Sequence, residues 1–415
     1  MRSSLFHARS LAVAVAGLAA TIAIASQLPA TAATRTSRVS PASTPSAEGP
    51  GHWTQVTATG SGNTEDIGLV RGTDGVLHVL WTYGNAGSQK IFDTPIGPGG
   101  TVQKTITIAS GLYSATDPDG TATPSGLDAF WNGYGSAPGS PAGTFEATRP
   151  VKGGKWKLAG NVPPVTPVYY SSEDSAATGG DGKPWVAWTG TGTLDVLHLG
   201  HPGKNISPSG CCVYNAGLAT DGVSGATYVA YMSNIGGSRS GIYVRRLANA
   251  GGAAAAAVRL PGSEIGGNLL APMQRTGITG RGKGKAGVYV TYLKGYPFPT
   301  AVELYKVGSK TPLTVASGGS VSHTAGSTVT AAPNGRLWIT WYYGGGNTPE
   351  IYTRVSGTTG TTFSKTVHVP LPAGTQTLWK LYTSAQNGRL DVLALVTNKK
   401  DKIAYYATQV LLPKA

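Results

Sequence analysis

Two acidic pairs, Glu65 with Asp66 and Glu173 with Asp174, are the first residues in this 415-residue chain whose types could do chemistry. Glycoside hydrolysis needs two carboxyl groups facing each other across a pocket, one as acid and the other as base or nucleophile. The bland alternative for these four is that they cap turns or pair with Arg275 and Lys380. His323 is a candidate general base, because an unperturbed imidazole titrates nearest neutrality. Arg275 is suited to neutralising a uronate or sialate carboxylate through a bidentate pair. Tyr113, Tyr214 and Trp379 offer aromatic faces that cover sugar C–H surfaces, while Lys380 and similar polar groups bond the hydroxyls. The chain has only two cysteines, Cys211 and Cys212, and they are adjacent. Successive Cα atoms lie about 3.8 Å apart, below the roughly 4.4–6.8 Å of ordinary disulfides, so a bond between them bends the local backbone and staples nothing distant.

Other chemistries find little support. His198 and His201 are read at a turn after the third strand of blade three, without acidic or thiolate company, so no metal site is expected. No glycine-rich phosphate loop or nucleophile elbow falls in the strand–turn–helix context it needs, and no cofactor is expected. Asn205-Ile206-Ser207 fits the glycosylation acceptor pattern, which matters only in a eukaryotic secretory path. The net charge is +14, but the basic residues are dispersed, with short clusters at 281–285 and 398–402. A nucleic-acid binder concentrates its charge on one face, so nucleic acid is not an expected partner, whereas acidic polysaccharide or an anionic cell wall stays open.

The N-terminus sets the compartment. Arg2 and Arg9 precede an apolar run from Leu11 to Ala25 and a small-residue stretch ending at Ala33, the layout of a secretory signal peptide over 1–33. No segment is long enough to span a membrane, so a secreted, extracellular protein is expected. Residues 34–51 are rich in Ser, Thr and Pro and read as a disordered lead-in. In an oxidising compartment the adjacent cysteines should be bonded to each other, two buried thiols or an intermolecular link being the alternatives.

The elements that must hold these residues show as a repeat. A turn followed by an alternating apolar strand recurs seven times: DGVLHVLW (74–81), SGLDAFW (125–131), DGKPWVAW (181–188), SGATYVAY (224–231), GVYVTY (287–292), NGRLWITW (334–341) and NGRLDVLA (387–394). The spacing is about fifty residues, each copy sits between flanking strands, and four strands per repeat predict an all-β, seven-bladed β-propeller over 52–415. Six repeats carry a fourth strand; the seventh does not, and HWTQVTA (52–58) is expected to supply it, with Trp53 in the place held by Trp156 and Phe363 elsewhere. That closes the ring and leaves no end blade with an open edge. The run AGGAAAAAV (250–258) favours helix by propensity, but the period makes it part of a blade.

SGTTGTTF (356–363) resembles an Asp-box, SxDxGxTF, with Thr358 in the aspartate place, and stands in the turn between third and fourth strands where sialidase-like (BNR/Asp-box) propellers carry that box. The resemblance implies the fold. It supplies no site residues, because no arginine triad matches residue by residue.

In such a ring, with strands a (inner) to d (outer), the d-to-a connections and b-to-c loops share one face. Asp66 stands nine residues before Gly75, Glu173 nine before Gly182 and Trp379 nine before Gly388, a common height where inner strands begin. Tyr113, Cys211, Cys212, Tyr214, Arg275, His323 and Lys380 belong to the same connections, and Tyr83, Tyr134, Arg239, Tyr296, Phe298, Tyr342 and Tyr343 to the b-to-c loops. The expected function is that of a monomeric, secreted propeller whose central top pocket binds a glycan or polysaccharide, acidic ones included. The acidic pairs extend this to cleavage, as a glycoside hydrolase or uronate lyase. The rival reading is a non-catalytic scaffold that binds protein or cell wall through the same face.

Overall fold

A computed structural model describes residues 52–59, 67–115, 118–134, 142–151, 153–162, 171–190, 192–207, 212–235, 239–248, 255–265, 274–282, 284–319, 321–344, 349–398 and 403–412. They form seven antiparallel sheets, one per repeat, arranged as a β-propeller. Blade 1 consists of Gly68–Arg71, Leu77–Tyr83, Gln89–Ile96 and Ile106–Leu112, in the order a to d. Blade 4 consists of Val213–Thr220, Thr227–Ser233, Gly241–Arg246 and Val258–Arg259, and blade 5 of Ile278–Gly280, Val288–Lys294, Ala301–Lys306 and Leu313–Ser317. Blade 7 runs Thr375–Gln386, Arg389–Asn398 and Ile403–Leu411, and its outer strand is Thr54–Gln55 from the other end of the chain. The expected closure of the ring by 52–58 is therefore observed. Of the alanine-rich run, 250–254 lie outside the described residues, 255–257 are neither helix nor strand, and Val258 begins the outer strand of blade 4.

The hairpin chemistry explains why the a-to-b turns recur. In blades 1, 3 and 6 the turn glycine donates its amide to a carbonyl three residues back, and Gly75, Gly182, Gly335 and Gly388 all have φ of +81° or +82°. Only glycine adopts that conformation at no steric cost. Ahead of these glycines, Asp74, Asp181 and Asn334 accept a main-chain N–H two residues on, which fixes the turn further.

The repeat's last aromatic holds the blades together. Trp81, Trp131, Trp188, Tyr231, Tyr292 and Trp341 occupy one position on successive b strands, and all are buried. In blades 1, 2, 4 and 6 the residue directly across on strand c is also aromatic, giving stacks of Trp81 on Phe92 (4.7 Å), Trp131 on Phe145 (5.9 Å), Tyr231 on Tyr243 (5.7 Å) and Trp341 on Tyr352 (5.8 Å). Blades 3 and 5 instead place Asp195 and Glu303 opposite Trp188 and Tyr292. Inner strands crowd near the axis: a Cβ at Gly68 of blade 1 would stand 2.5 Å from the Cα of Asp119 in blade 2. Among the described residues no helix is long and apolar enough to cross a membrane.

Candidate functional site

The d-to-a connections and b-to-c loops meet on one face, as the antiparallel order requires, and this face carries a half-open cleft bounded by blades 4, 5 and 6. Its apolar wall is Met232 and Ile242 from blade 4 with Tyr292, Leu293 and Tyr296 from blade 5. Asn215, Gln274, Thr276 and Ser327 add amides and hydroxyls, and Arg275 adds a guanidinium. Tyr292 donates its hydroxyl to the Pro261 carbonyl at 2.5 Å, and burial, reinforced by Glu303, pushes its pKa up. Burial also raises that of Tyr296. Both phenols therefore stay neutral well above neutral pH.

The backbone at the edge of this cleft is strained. Among the described residues only two non-glycines have positive φ, Cys212 (79°) and Asn215 (59°), and both lie where blade 4 begins. A β-bulge between Tyr214 and Gly217 accompanies them and turns Asn215 toward the cleft lining. Non-glycine residues in this region cost free energy and cluster at ligand clamps. Bulges likewise re-aim side chains beside sites.

Gln274 and Arg275 tie the cleft to the ring's centre. Arg275 Nη1 lies 3.0 Å from Asp119 Oδ2, and its guanidinium stands 5.8 Å from the centre of the Tyr382 ring. Asp119 belongs to blade 2 and Arg275 to the start of blade 5, which are not neighbours, so the pair lies across the central channel. Burial raises the Asp119 carboxyl above the usual range, while Arg275 and the Ala176 N–H pull it down. Gln274 donates to the Ser327 carbonyl (3.5 Å) and accepts from the Leu381 N–H (3.3 Å), reaching blades 6 and 7.

The residues expected to carry chemistry are not gathered here. Arg275 lines the cleft, but its charge already faces Asp119. Asp174, expected at the mouth, is fully buried: it accepts from the Asn132 main-chain N–H (3.0 Å) and side-chain amide, fastening blade 3 to blade 2. It is the fourth residue of the strand Ser171–Thr178 rather than its start, and the side chain turns into the blade joint, where two amide donors await it. Glu173 lies in the strand Ser171–Thr178, and its side chain is outside the described residues, as are Glu65, Asp66 and Cys211.

His323 is exposed ahead of blade 6, and Tyr113 is half-buried with its ring centre 6.4 Å from that of Tyr134, edge to face. Tyr214 is 38% exposed and Trp379 45%, the latter donating to Thr397 Oγ1 at 2.6 Å, while Lys380 is buried. Asp119, Asn215 and Gln274 were missed. An asparagine's tolerance of left-handed backbone was the one sequence signal available for Asn215.

At the far end of blade 3, His198 does have acidic company: Asp181 lies 3.1 Å from its Nε2, and the ring is sandwiched between Trp185 (4.3 Å) and His201 (4.9 Å). Burial lowers its pKa, opposed by Asp181. Among the described residues no group of three His, Cys, Asp or Glu side chains could hold a metal ion.

No family model matches the sequence, and no curated protein is similar to it. Solved structures do resemble the fold. A protein of unknown function from Dyadobacter fermentans is 10% identical with a TM-score of 0.53, covering 88% of this chain and 99% of that one. A catalytically inactive virginiamycin B lyase from Staphylococcus aureus is 13% identical with a TM-score of 0.50, covering 87% and 99%. A Trypanosoma rangeli sialidase is 9% identical with a TM-score of 0.46, covering 86% of this chain and 58% of that one. At such identities the likeness is one of fold alone.

Proposed function

We propose that this is an exported carbohydrate-binding propeller that takes its glycan in the cleft between blades 4 and 5. The observation that carries the reading is the cleft's lining. Tyr296 and Tyr292 with Leu293 and Met232 form an apolar wall for sugar faces, and Asn215, Gln274 and Ser327 supply hydroxyl partners. The signal-like segment 1–33 supports export. A bond between Cys211 and Cys212 would hold the left-handed Cys212 backbone at the cleft's edge. Binding is favoured over cleavage because the lining set is amides, hydroxyls and one paired guanidinium. Asp174 works in a blade joint instead.

A glycan panel tests this. The purified protein should retain at least one glycan, and Tyr296→Ala and Tyr214→Ala should each weaken it more than about tenfold, the effect of losing an aromatic anchor. Asp74→Ala, in an a-to-b turn at the opposite end, should leave affinity unchanged. Unaltered binding in both tyrosine variants would move the site elsewhere, and a panel with no retained glycan would remove the reading.

A further inference from the structure

The opposite end of the ring carries a feature the cleft does not explain. Blade 6 consists of Thr324–Ala331, Leu337–Tyr343, Glu350–Val355 and Val367–Val369. The turns 281–287 and 307–312 of blade 5, with 332–336 and 356–366 of blade 6, all lie at the end away from the cleft, since each joins strand a to b or c to d. With Lys306 at the end of strand c, the described residues of these stretches include Arg281, Lys285, Lys306, Lys310, Arg336 and Lys365, and not one aspartate or glutamate. Lys285, Lys306, Lys310 and Lys365 are exposed.

Contacts draw the turns together. Arg281 donates Nε to the Gly335 carbonyl (3.0 Å) and Nη2 to the Thr358 carbonyl, joining both blade 6 turns to blade 5. Lys285 lies over Gly335, where a Cβ would meet its Cγ at 3.3 Å, and Lys306 lies over Gly287, where a Cβ would meet its Cε at 3.2 Å. The carboxylate at the border, Asp221 of blade 4, is held by the N–H groups of Val223 (3.1 Å), Ser224 (2.7 Å) and Gly287 (2.5 Å). It accepts from these N–H groups and from the Ser224 hydroxyl (2.9 Å), and among the described residues it pairs with no lysine.

We propose that these turns of blades 5 and 6 form a docking face for a carboxylate-bearing polysaccharide, separate from the cleft. Charge complementarity names the class: a like-charged surface of this kind raises the local concentration of a polyanion. The kind of cation narrows it. Arg281 uses its fork on carbonyls and Arg336 is half-buried, so the fully exposed cations are lysine ammoniums, which act as point charges on flexible stems and suit carboxylates strung along a chain. None of the exposed large apolar side chains among the described residues belongs to these turns, so no stacking platform for nucleic-acid bases is offered.

Polygalacturonate is the probe, titrated at low salt and again at about 0.3 M, where surface electrostatics are largely screened. Binding should weaken at least about tenfold between the two. The variant carrying Lys285→Gln, Lys306→Gln, Lys310→Gln and Lys365→Gln should lose a similar factor at low salt with an unchanged melting curve. A control carrying Lys90→Gln, Lys104→Gln, Lys155→Gln and Lys157→Gln, an equal loss of exposed charge on blades 1 and 2, should bind polygalacturonate within about twofold of wild type, which ties binding to the turns of blades 5 and 6. Wild-type affinity in the lysine variant would overturn the proposal. So would tighter binding of duplex DNA that depends on the same four lysines, since that would make the occupant a nucleic acid.

Discussion

Cys212 keeps a φ of 79° that costs an L-residue roughly 1–2 kcal/mol, and it does so where the cleft lining begins. No free cysteine is found among the described residues. A bond to Cys211 would close almost no chain, so the loop-entropy term that makes ordinary disulfides stabilising is nearly absent and its effect should fall on the backbone shape. Peptide mass analysis of the mature protein should find no free thiol and both cysteines bonded within one peptide. Cys211→Ser with Cys212→Ser should shift the melting temperature by only a few degrees while glycan affinity falls more than about tenfold. Outright unfolding, with normal binding by whatever remains folded, would make the pair structural. The cysteines also mark how far the site could be read from sequence. The repeat register placed Arg275, Tyr214 and Cys212 at one face, because turn glycines fix where each inner strand starts. It could not say that Arg275 would meet Asp119 across the channel or that Asp174 would turn toward Asn132, since both partners come from other blades.

Strand c alternates between two solutions to one packing problem. Where blades 1, 2, 4 and 6 stack an aromatic across from the b-strand aromatic, blades 3 and 5 bury Asp195 and Glu303. Asp195 is held by Thr193 Oγ1 and Asn205 Nδ2, both at 3.0 Å, and Glu303 by Thr314 Oγ1 at 3.1 Å. Burial nevertheless raises both carboxyls above their ordinary values. A raised folded-state pKa means that the native protein binds the proton more tightly than the unfolded chain. The stability these groups contribute is therefore fully present below the ordinary carboxylate range and is lost as pH rises through their raised values. Asp195→Asn with Glu303→Gln should accordingly melt higher than wild type near pH 7, and the gain should shrink toward zero near pH 4. Asp181 and Asp221, whose values are lowered, push the other way in both proteins and cancel in the comparison. Melting curves at the two pH values check this; a gain that is equal at both, or larger in acid, would contradict it.

A ring of seven blades has a seam, and the position of that seam was legible because it is a counting problem. Turn glycines, b-strand aromatics and missing fourth strands are all local in sequence, whereas the site depends on side chains meeting across the channel. At the seam, Thr54 and Gln55 pair with Ala407 and Tyr406, the Val56 N–H donates to the Tyr405 carbonyl (2.9 Å), and Thr57 Oγ1 accepts from the Tyr405 N–H (3.0 Å). Trp53 donates its indole N–H to the Pro370 carbonyl at 2.6 Å and packs against the core of blades 6 and 7. Val56 packs with blade 1 residues, and its carbonyl accepts from Thr94 Oγ1 (3.3 Å), so the strand binds both sides of the closure. Deleting 52–58 leaves blade 7 with an open edge and uncovers two hydrophobic clusters, with an expected drop in melting temperature well beyond ten degrees and aggregation through the exposed strand. Trp53→Ala, which keeps the strand, should cost about 2 kcal/mol, below the range for a fully buried tryptophan because the ring is half exposed. Removing only 34–50 should leave the melting curve unchanged. Chemical and thermal unfolding of the three variants decides the matter: equal melting temperatures for the two truncations would mean that the ring is closed by something other than its N-terminal strand.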